Sequence, residues 1–116
     1  SVPFQALLPK VAALIHHGGI GTTRQAMRAG VPQLIRPMGF DQFDNALRAM
    51  RLGVAQQILP RRYGPESAAA ALRSLTGSSE VRARCADVAR RLSTGVGVEA
   101  ACDAVLRRSP RPTPQA

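Results

Sequence analysis

Two histidines and three glycines lie within six consecutive residues of the stretch HHGGIGTT, which covers residues 16–23. A short apolar run precedes this stretch, and a helical pattern follows it. A strand that ends in a glycine turn and leads into a helix presents unpaired backbone N–H groups and the positive end of a helix dipole. Such a turn is suited to binding a phosphate group.

Better-known motifs do not fit this turn. The P-loop needs a Lys that is missing here, and the GxSxG elbow needs a Ser. The dinucleotide fingerprint GxGxxG is matched by Gly19 and Gly21, but Arg24 occupies its third glycine position. Zinc binding by His16 and His17 is disfavoured, because adjacent strand residues point to opposite faces. The remaining interpretation is a diphosphate-binding turn that carries a histidine, with no metal site.

The elements around the turn alternate between strand and helix. Apolar runs bounded by Gly and Pro predict three strands, and apolar residues at helical spacing predict the helices. The strands are expected at 11–15, 33–36 and 54–58, and the helices at 22–29, 42–52, 65–76, 80–92 and 98–108. Asp41 is a candidate N-cap. Short links between alternating elements predict an α/β fold, a partial Rossmann-like parallel sheet with flanking helices.

Composition restricts the partners. The chain has 16 basic and 7 acidic residues, a net charge of +9, but only 3% aromatic residues and no Trp. A base-stacking surface is therefore not expected, and nucleic acid is not predicted as a partner. No apolar run approaches the ~20 residues of a membrane span. Cys85 and Cys102 lie in helical patterns and are expected to be small core residues in a reducing, cytoplasmic compartment.

Three motifs in fixed order, HHGGIGTT, RAGVPQLIRP and DQFDNA, resemble a known family. They are similar to the C-terminal half of GT-B glycosyltransferases of the UDP-glycosyltransferase superfamily. The bacterial members that include rhamnosyltransferases and macrolide or sterol glycosyltransferases are the most similar. The resemblance covers residues 2–58 closely and the later helices loosely.

The resemblance assigns roles to individual residues. Those implied to bind the donor diphosphate are His17, Gly19, Gly21, Thr22 and Thr23. Gln25 stands where plant members have a ribose-binding Glu, and Asp41 with Gln42 matches the pair that binds the donor sugar. His16 is expected to be structural and to bond to the neighbouring loop. Asn45 either supports the start of its helix or faces the site, and Arg24 and Arg36 are expected to be solvated.

The implied reaction is an inverting transfer of a hexose from a UDP- or dTDP-sugar to a hydroxyl of a small lipophilic acceptor. It implies no cofactor beyond the donor substrate, and peripheral membrane contact only through the acceptor. Family members have the general base in an N-terminal domain, so no catalytic residue is expected here. Residues 1–108 are expected to be the donor-binding C-terminal portion of a longer enzyme, followed by a disordered tail, 109–116. The alternative is a non-catalytic truncated remnant with weak or no nucleotide binding.

Overall fold

A computed structural model of the protein describes residues 11–94, which contain three strands and four α-helices. In chain order they are β1 (Leu14–His16), α1 (Ile20–Ala29), β2 (Gln33–Ile35), α2 (Phe40–Arg51), β3 (Ala55–Gln57), a 3-10 turn (Pro60–Arg62), α3 (Pro65–Thr76) and α4 (Ser79–Leu92). The predicted helix at 98–108, the tail at 109–116 and Cys102 lie outside these residues.

The strands form one parallel sheet in the order β1-β2-β3. Ile15 is opposite Leu34, and Leu34 is opposite Gln56, so the strands are in register across the sheet. Each strand is joined to the next by one helix, which is the connection that parallel strands require. The predicted α/β class and parallel sheet are therefore confirmed.

Apolar side chains pack on the two faces of the sheet in separate clusters. Ile35 of β2 belongs to the larger cluster, to which α1, α2 and α4 contribute. Leu34, its neighbour, belongs to a smaller cluster with Ala68, Ala71 and Leu75 of α3. Because adjacent strand residues point to opposite faces, one dipeptide in the central strand joins both clusters to the sheet.

The beginnings of two helices differ from the prediction. The first begins at Ile20 rather than at residue 22, with Gly19 as its N-cap. The second begins at Phe40 with Gly39 as its N-cap, so the expectation that Asp41 is the N-cap is wrong. Gly39 has an extended backbone with φ −166°, which lets the helix begin directly after it. Asp41 lies instead in the first turn, where its charge is favourable to the helix dipole.

Cys85 is a buried residue of the larger cluster, as expected. Burial raises the pKa of its thiol to about 11, so the thiol is protonated and unreactive near neutral pH. Within residues 11–94, no helix is both long enough and apolar enough to cross a bilayer.

Candidate functional site

The glycine turn, residues 16–23, and the start of α2 meet at the carboxyl edge of the sheet. The Nδ2 of Asn45 in α2 donates to the carbonyl oxygen of Gly18 at 2.8 Å. Gly18 is buried, and a Cβ at this position would lie 2.9 Å from the carbonyl oxygen of Gln42. The glycine turn and the DQFDNA motif, which these pairs join across 24 and 27 residues of sequence, therefore share one edge, as a common ligand site requires.

The start of α1 presents unpaired donors on the outside of this edge. In any helix the first N–H groups have no carbonyl of the helix to bond, and here they belong to Ile20, Gly21 and Thr22. A Cβ added to Gly19 or Gly21 would meet nothing within 4 Å. Space around both glycines therefore allows close approach of an anion to the backbone.

Thr22 and Thr23 differ in their surroundings. Thr22 is half-buried in the first turn of α1, whereas Thr23 is buried with 2% of its surface exposed. The Thr23 hydroxyl donates to the carbonyl oxygen of Gly19 at 2.7 Å, and its backbone N–H donates to the same oxygen at 2.9 Å. Both Thr23 donors are thus used inside the fold, which leaves Thr22 as the threonine with its N–H at the open helix end.

The two histidines have different environments. His17 is exposed, and its Nδ1 lies 3.3 Å from the carbonyl oxygen of Arg36 at the end of β2. His16 is partly buried and bonds through both ring nitrogens, to the Gly18 N–H at 2.9 Å and to Gln33 Oε1 at 2.7 Å. The expected hydrogen bond from His16 to the neighbouring loop is therefore present, as the bond to the Gly18 N–H. His16 bonds to β2 as well as to the turn.

Burial shifts the protonation of His16. Loss of hydration lowers the pKa of His16 below the ordinary histidine value, the hydrogen bond to Gln33 raises it, and the nearby His17 lowers it again. The net shift is downward. At neutral pH His16 is therefore a neutral imidazole with one donor and one acceptor nitrogen.

The remaining predicted residues lie around the same edge. Gln25 is half-buried on α1, three residues after Thr22 and so on the same side of the helix. Asp41 is exposed in the first turn of α2. Gln42 accepts the Met38 N–H through Oε1 at 2.8 Å, and its NH₂ group has further donor capacity.

Arg36 departs from the expectation of a solvated side chain. It is half-buried, and its guanidinium lies 5.2 Å from the centre of the Tyr63 ring. This distance is typical of a cation–π contact. Within residues 11–94, no three His, Cys, Asp or Glu side chains are grouped as a metal site would need.

Sequence reasoning gave too little weight to three buried residues. Gly18 has φ +98° and packs against Gln42, Asn45 bonds to the turn, and Gln33 is fully buried beside His16. A polar Gln in a short strand that is otherwise apolar is a signal for Gln33, because a buried amide needs partners. A glycine directly after a strand is a signal for Gly18.

Known proteins match this chain over most of its length. The sequence profile of the family described as "Erythromycin biosynthesis protein CIII-like, C-terminal domain" matches residues 1–103. O-mycaminosyltylonolide 6-deoxyallosyltransferase of Streptomyces fradiae is 37% identical over 103 residues, which are 88% of this chain and 24% of that protein. Sterol 3-beta-glucosyltransferase of Neurospora crassa is 39% identical over 107 residues, 92% of this chain and 7% of that protein.

A solved structure has the same fold. The crystal structure of glycosyltransferase VinC in complex with dTDP matches with a TM-score of 0.77 and 32% identity, over 94% of this chain and 28% of VinC. This chain thus spans about a quarter of the length of VinC and of the Streptomyces relative. The profile, the relatives and the shared GT-B architecture lead to one conclusion: the chain belongs to the EryCIII-like C-terminal domains of the UDP-glycosyltransferase superfamily.

Proposed function

We propose that this chain is the donor-binding portion of an inverting glycosyltransferase that uses a UDP- or dTDP-sugar. The observation that carries the proposal is the common edge formed by the open start of α1, His17 and the first turn of α2. Backbone donors for a diphosphate and polar side chains for a sugar lie side by side there. The dTDP bound by the related VinC also supports a nucleotide diphosphate as the ligand.

The diphosphate is the leaving group of the proposed reaction. As the bond between the anomeric carbon and the phosphate oxygen breaks, its electron pair stays on the diphosphate. Preorganised donors that meet this new charge lower the barrier. We assign this role to the N–H groups of Gly21 and Thr22, to the Thr22 hydroxyl and to the exposed ring of His17, with Gly19 giving the diphosphate room to approach. Thr23 contributes by fixing the Gly19 carbonyl.

The sugar and the ribose are assigned to the flanking side chains. The exposed Asp41 carboxylate accepts hydrogen bonds from donor-sugar hydroxyls, and the NH₂ group of Gln42 donates to them. Gln25, on the same side of α1 as Thr22, is assigned to the ribose hydroxyls. We propose that the transfer uses neither a metal ion nor a cofactor, because the residues assigned above stabilise the charge on the diphosphate.

The acceptor is proposed to be a small lipophilic alcohol. Phe40, directly before Asp41, is 96% exposed, and Met38 is 55% exposed, so apolar surface lies beside the sugar-binding pair. Two relatives are named for transfer to a sterol and to O-mycaminosyltylonolide, and a sterol is a lipophilic alcohol of this kind. The general base that deprotonates the acceptor hydroxyl is expected in another part of the enzyme. Membrane contact through such an acceptor stays a prediction.

The alternative function is a remnant that binds nucleotide weakly or not at all. Titration of the ¹⁵N-labelled 116-residue chain with UDP and with dTDP separates the two. The proposed function predicts saturable shifts of the Ile20, Gly21 and Thr22 amides with a Kd of roughly 0.1–1 mM, because half of the ligand faces water. Absence of these shifts at millimolar nucleotide favours the remnant.

Two variants test the assigned role of His17. His17→Ala is expected to weaken nucleotide binding while the fold is retained, and to lower kcat by roughly 10²-fold in an intact enzyme carrying this segment. Arg28→Ala is the matched control, since it removes an exposed cation from the other end of α1. Equal losses in both variants would mean that net positive charge, and not the His17 ring, attracts the anion.

A further inference from the structure

A chain of polar groups lies beneath the glycine turn, and we call its three side-chain members, His16, Gln33 and Thr23, the buried polar chain. It starts at the Gly18 N–H, which donates to His16 Nδ1 at 2.9 Å. His16 Nε2 and Gln33 Oε1 are 2.7 Å apart, and Gln33 Nε2 donates to the Thr23 carbonyl at 3.4 Å. The Thr23 hydroxyl then donates to the Gly19 carbonyl at 2.7 Å. The bonds thus begin and end on adjacent residues of the turn.

Only one form of His16 satisfies this arrangement. A backbone N–H can only donate, so Nδ1 must be the acceptor without a proton. The proton of the neutral ring is then on Nε2, where it donates to Gln33 Oε1. This fixes the Gln33 amide with its NH₂ group toward Thr23. An imidazolium would place a second proton on Nδ1, directly against the Gly18 N–H.

We propose that His16 is a positioning residue which, as the neutral Nε2–H tautomer, fixes Gly18 and Gly19 so that His17 and the start of α1 meet a nucleotide-sugar diphosphate. The identity of the ligand in this inference rests on the proposed function. The fixation itself rests on the bonds of the buried polar chain. Both ring nitrogens of His16 bond inside the fold, so neither is available as a donor to the proposed ligand.

The surroundings of His16 favour the neutral ring. Electrostatic repulsion from the nearby His17 acts against a second proton on the His16 ring. The members of the buried polar chain that follow it, Gln33 from β2 and Thr23 from α1, are uncharged. Asn45, which bonds to the same turn from α2, is also uncharged.

Substitutions at this position separate a positioning role from a general contribution to stability. Asn can accept the N–H two residues ahead through its Oδ1, as in an Asx turn. His16→Asn therefore restores an acceptor for the Gly18 N–H, whereas His16→Phe keeps a ring and removes both bonds. Gln33→Met leaves the Nδ1 bond intact and removes the acceptor of Nε2–H.

The first measurement needs no ligand. Side-chain ¹⁵N NMR of the full chain at neutral pH is expected to show His16 as the neutral Nε2–H tautomer, with a titration midpoint below the ordinary histidine value. Amide hydrogen exchange of Gly18 should be slow in the wild type, at least about tenfold faster in His16→Phe, and close to wild type in His16→Asn. An Nδ1–H tautomer or an imidazolium at pH 7 would overturn the proposal.

The second measurement is nucleotide binding by chains that remain cooperatively folded. Kd for UDP or dTDP is expected to rise at least about tenfold in His16→Phe, and to lie within about threefold of wild type in His16→Asn. If His16→Phe does not fold, Gln33→Met takes its place, with an expected rise of about three- to tenfold. A folded His16→Phe with wild-type Kd would contradict the positioning role. If the wild type binds neither nucleotide, the proposed function and the ligand named here are both wrong. The His16 tautomer and the Gly18 amide exchange rate would still decide whether His16 fixes the turn.

Discussion

The glycine turn has an inward half, formed by His16, Gly18 and Thr23, and an outward half, formed by His17, Gly19 and Gly21. The inward half is packed and bonded: both nitrogens of His16 have partners, and a Cβ on Gly18 would lie within 3.0 Å of two atoms. The outward half is open, with nothing within 4 Å of a Cβ on Gly19 or Gly21. One short sequence therefore contains both a rigid support and a free binding surface.

The difference arises from strand geometry. Consecutive residues at the end of β1 point to opposite faces of the sheet, so two adjacent histidines have different environments. The inner one bonds within the fold, and the outer one faces solvent. A donor array that is fixed before the ligand arrives costs little to organise, which is what stabilisation of a developing charge requires. Substitutions in the two halves should therefore affect different properties of the protein.

Gly18→Ala should have the largest effect on stability. Its φ of +98° is unfavourable for an L-residue, and the new Cβ would lie 2.9 Å from the Gln42 carbonyl oxygen and 3.0 Å from Ile35 Cγ2. Strain and overpacking together should lower the free energy of unfolding by about 2–4 kcal/mol. Urea denaturation of the chain measures the change. Gly19→Ala is the matched control, with φ −59° and open space, and should cost less than about 1 kcal/mol. Equal costs would contradict the division into two halves.

Gly21→Ala should change stability and binding in opposite directions. Gly21 lies in the first turn of α1 with free space around it, so Ala should raise the free energy of unfolding by about 0.5–1 kcal/mol. The same methyl group should obstruct a diphosphate at the helix start and weaken nucleotide binding. Thermal unfolding and nucleotide titration of one sample measure both effects. Unchanged binding in a stabilised variant would show that the ligand does not approach Gly21.

Lowering the pH should reduce the free energy of unfolding, by a smaller amount than Gly18→Ala does, through His16 in the inward half. The pKa of His16 is lowered in the folded chain, so below about pH 6.5 the unfolded chain binds more protons and the folded state loses stability. Above that pH His16 is neutral in both states, and its contribution is constant. Since the ring is only partly buried, we expect a loss under about 1 kcal/mol between pH 7 and pH 5.

His16→Asn is the control for this pH dependence, because it retains His17 and every carboxylate. The difference in the free energy of unfolding between wild type and His16→Asn, followed by urea denaturation across the pH range, isolates His16. The wild type should lose more stability than the variant as the pH falls. Parallel curves would show that His16 protonation is not linked to folding.

Local pattern was sufficient for the layout of the sheet and for the position of the turn. Alternating apolar runs and helical spacing, separated by Gly and Pro, predicted three parallel strands with helical connections. These features depend on residues close in sequence, so the sequence specifies them directly. The boundary of α2 was missed by two residues. Asp41 is a good N-cap residue by type, but an extended Gly39 already provides the start of that helix.

The sequence by itself determined the order of elements, the position of the glycine turn directly after the first strand, and the expectation that this turn and the DQFDNA motif meet at one edge. Only the tertiary structure decided which distant side chains support the turn. Asn45 lies 27 residues from Gly18, and Gln33 lies 17 residues from His16. Such contacts depend on how α2 and β2 pack around β1. The type of a polar residue shows that it needs a hydrogen-bond partner when it is buried, but it does not show which residue that partner is. Arg36 is half-buried against Tyr63 for the same reason, since the 3-10 turn after β3 brings the ring to it.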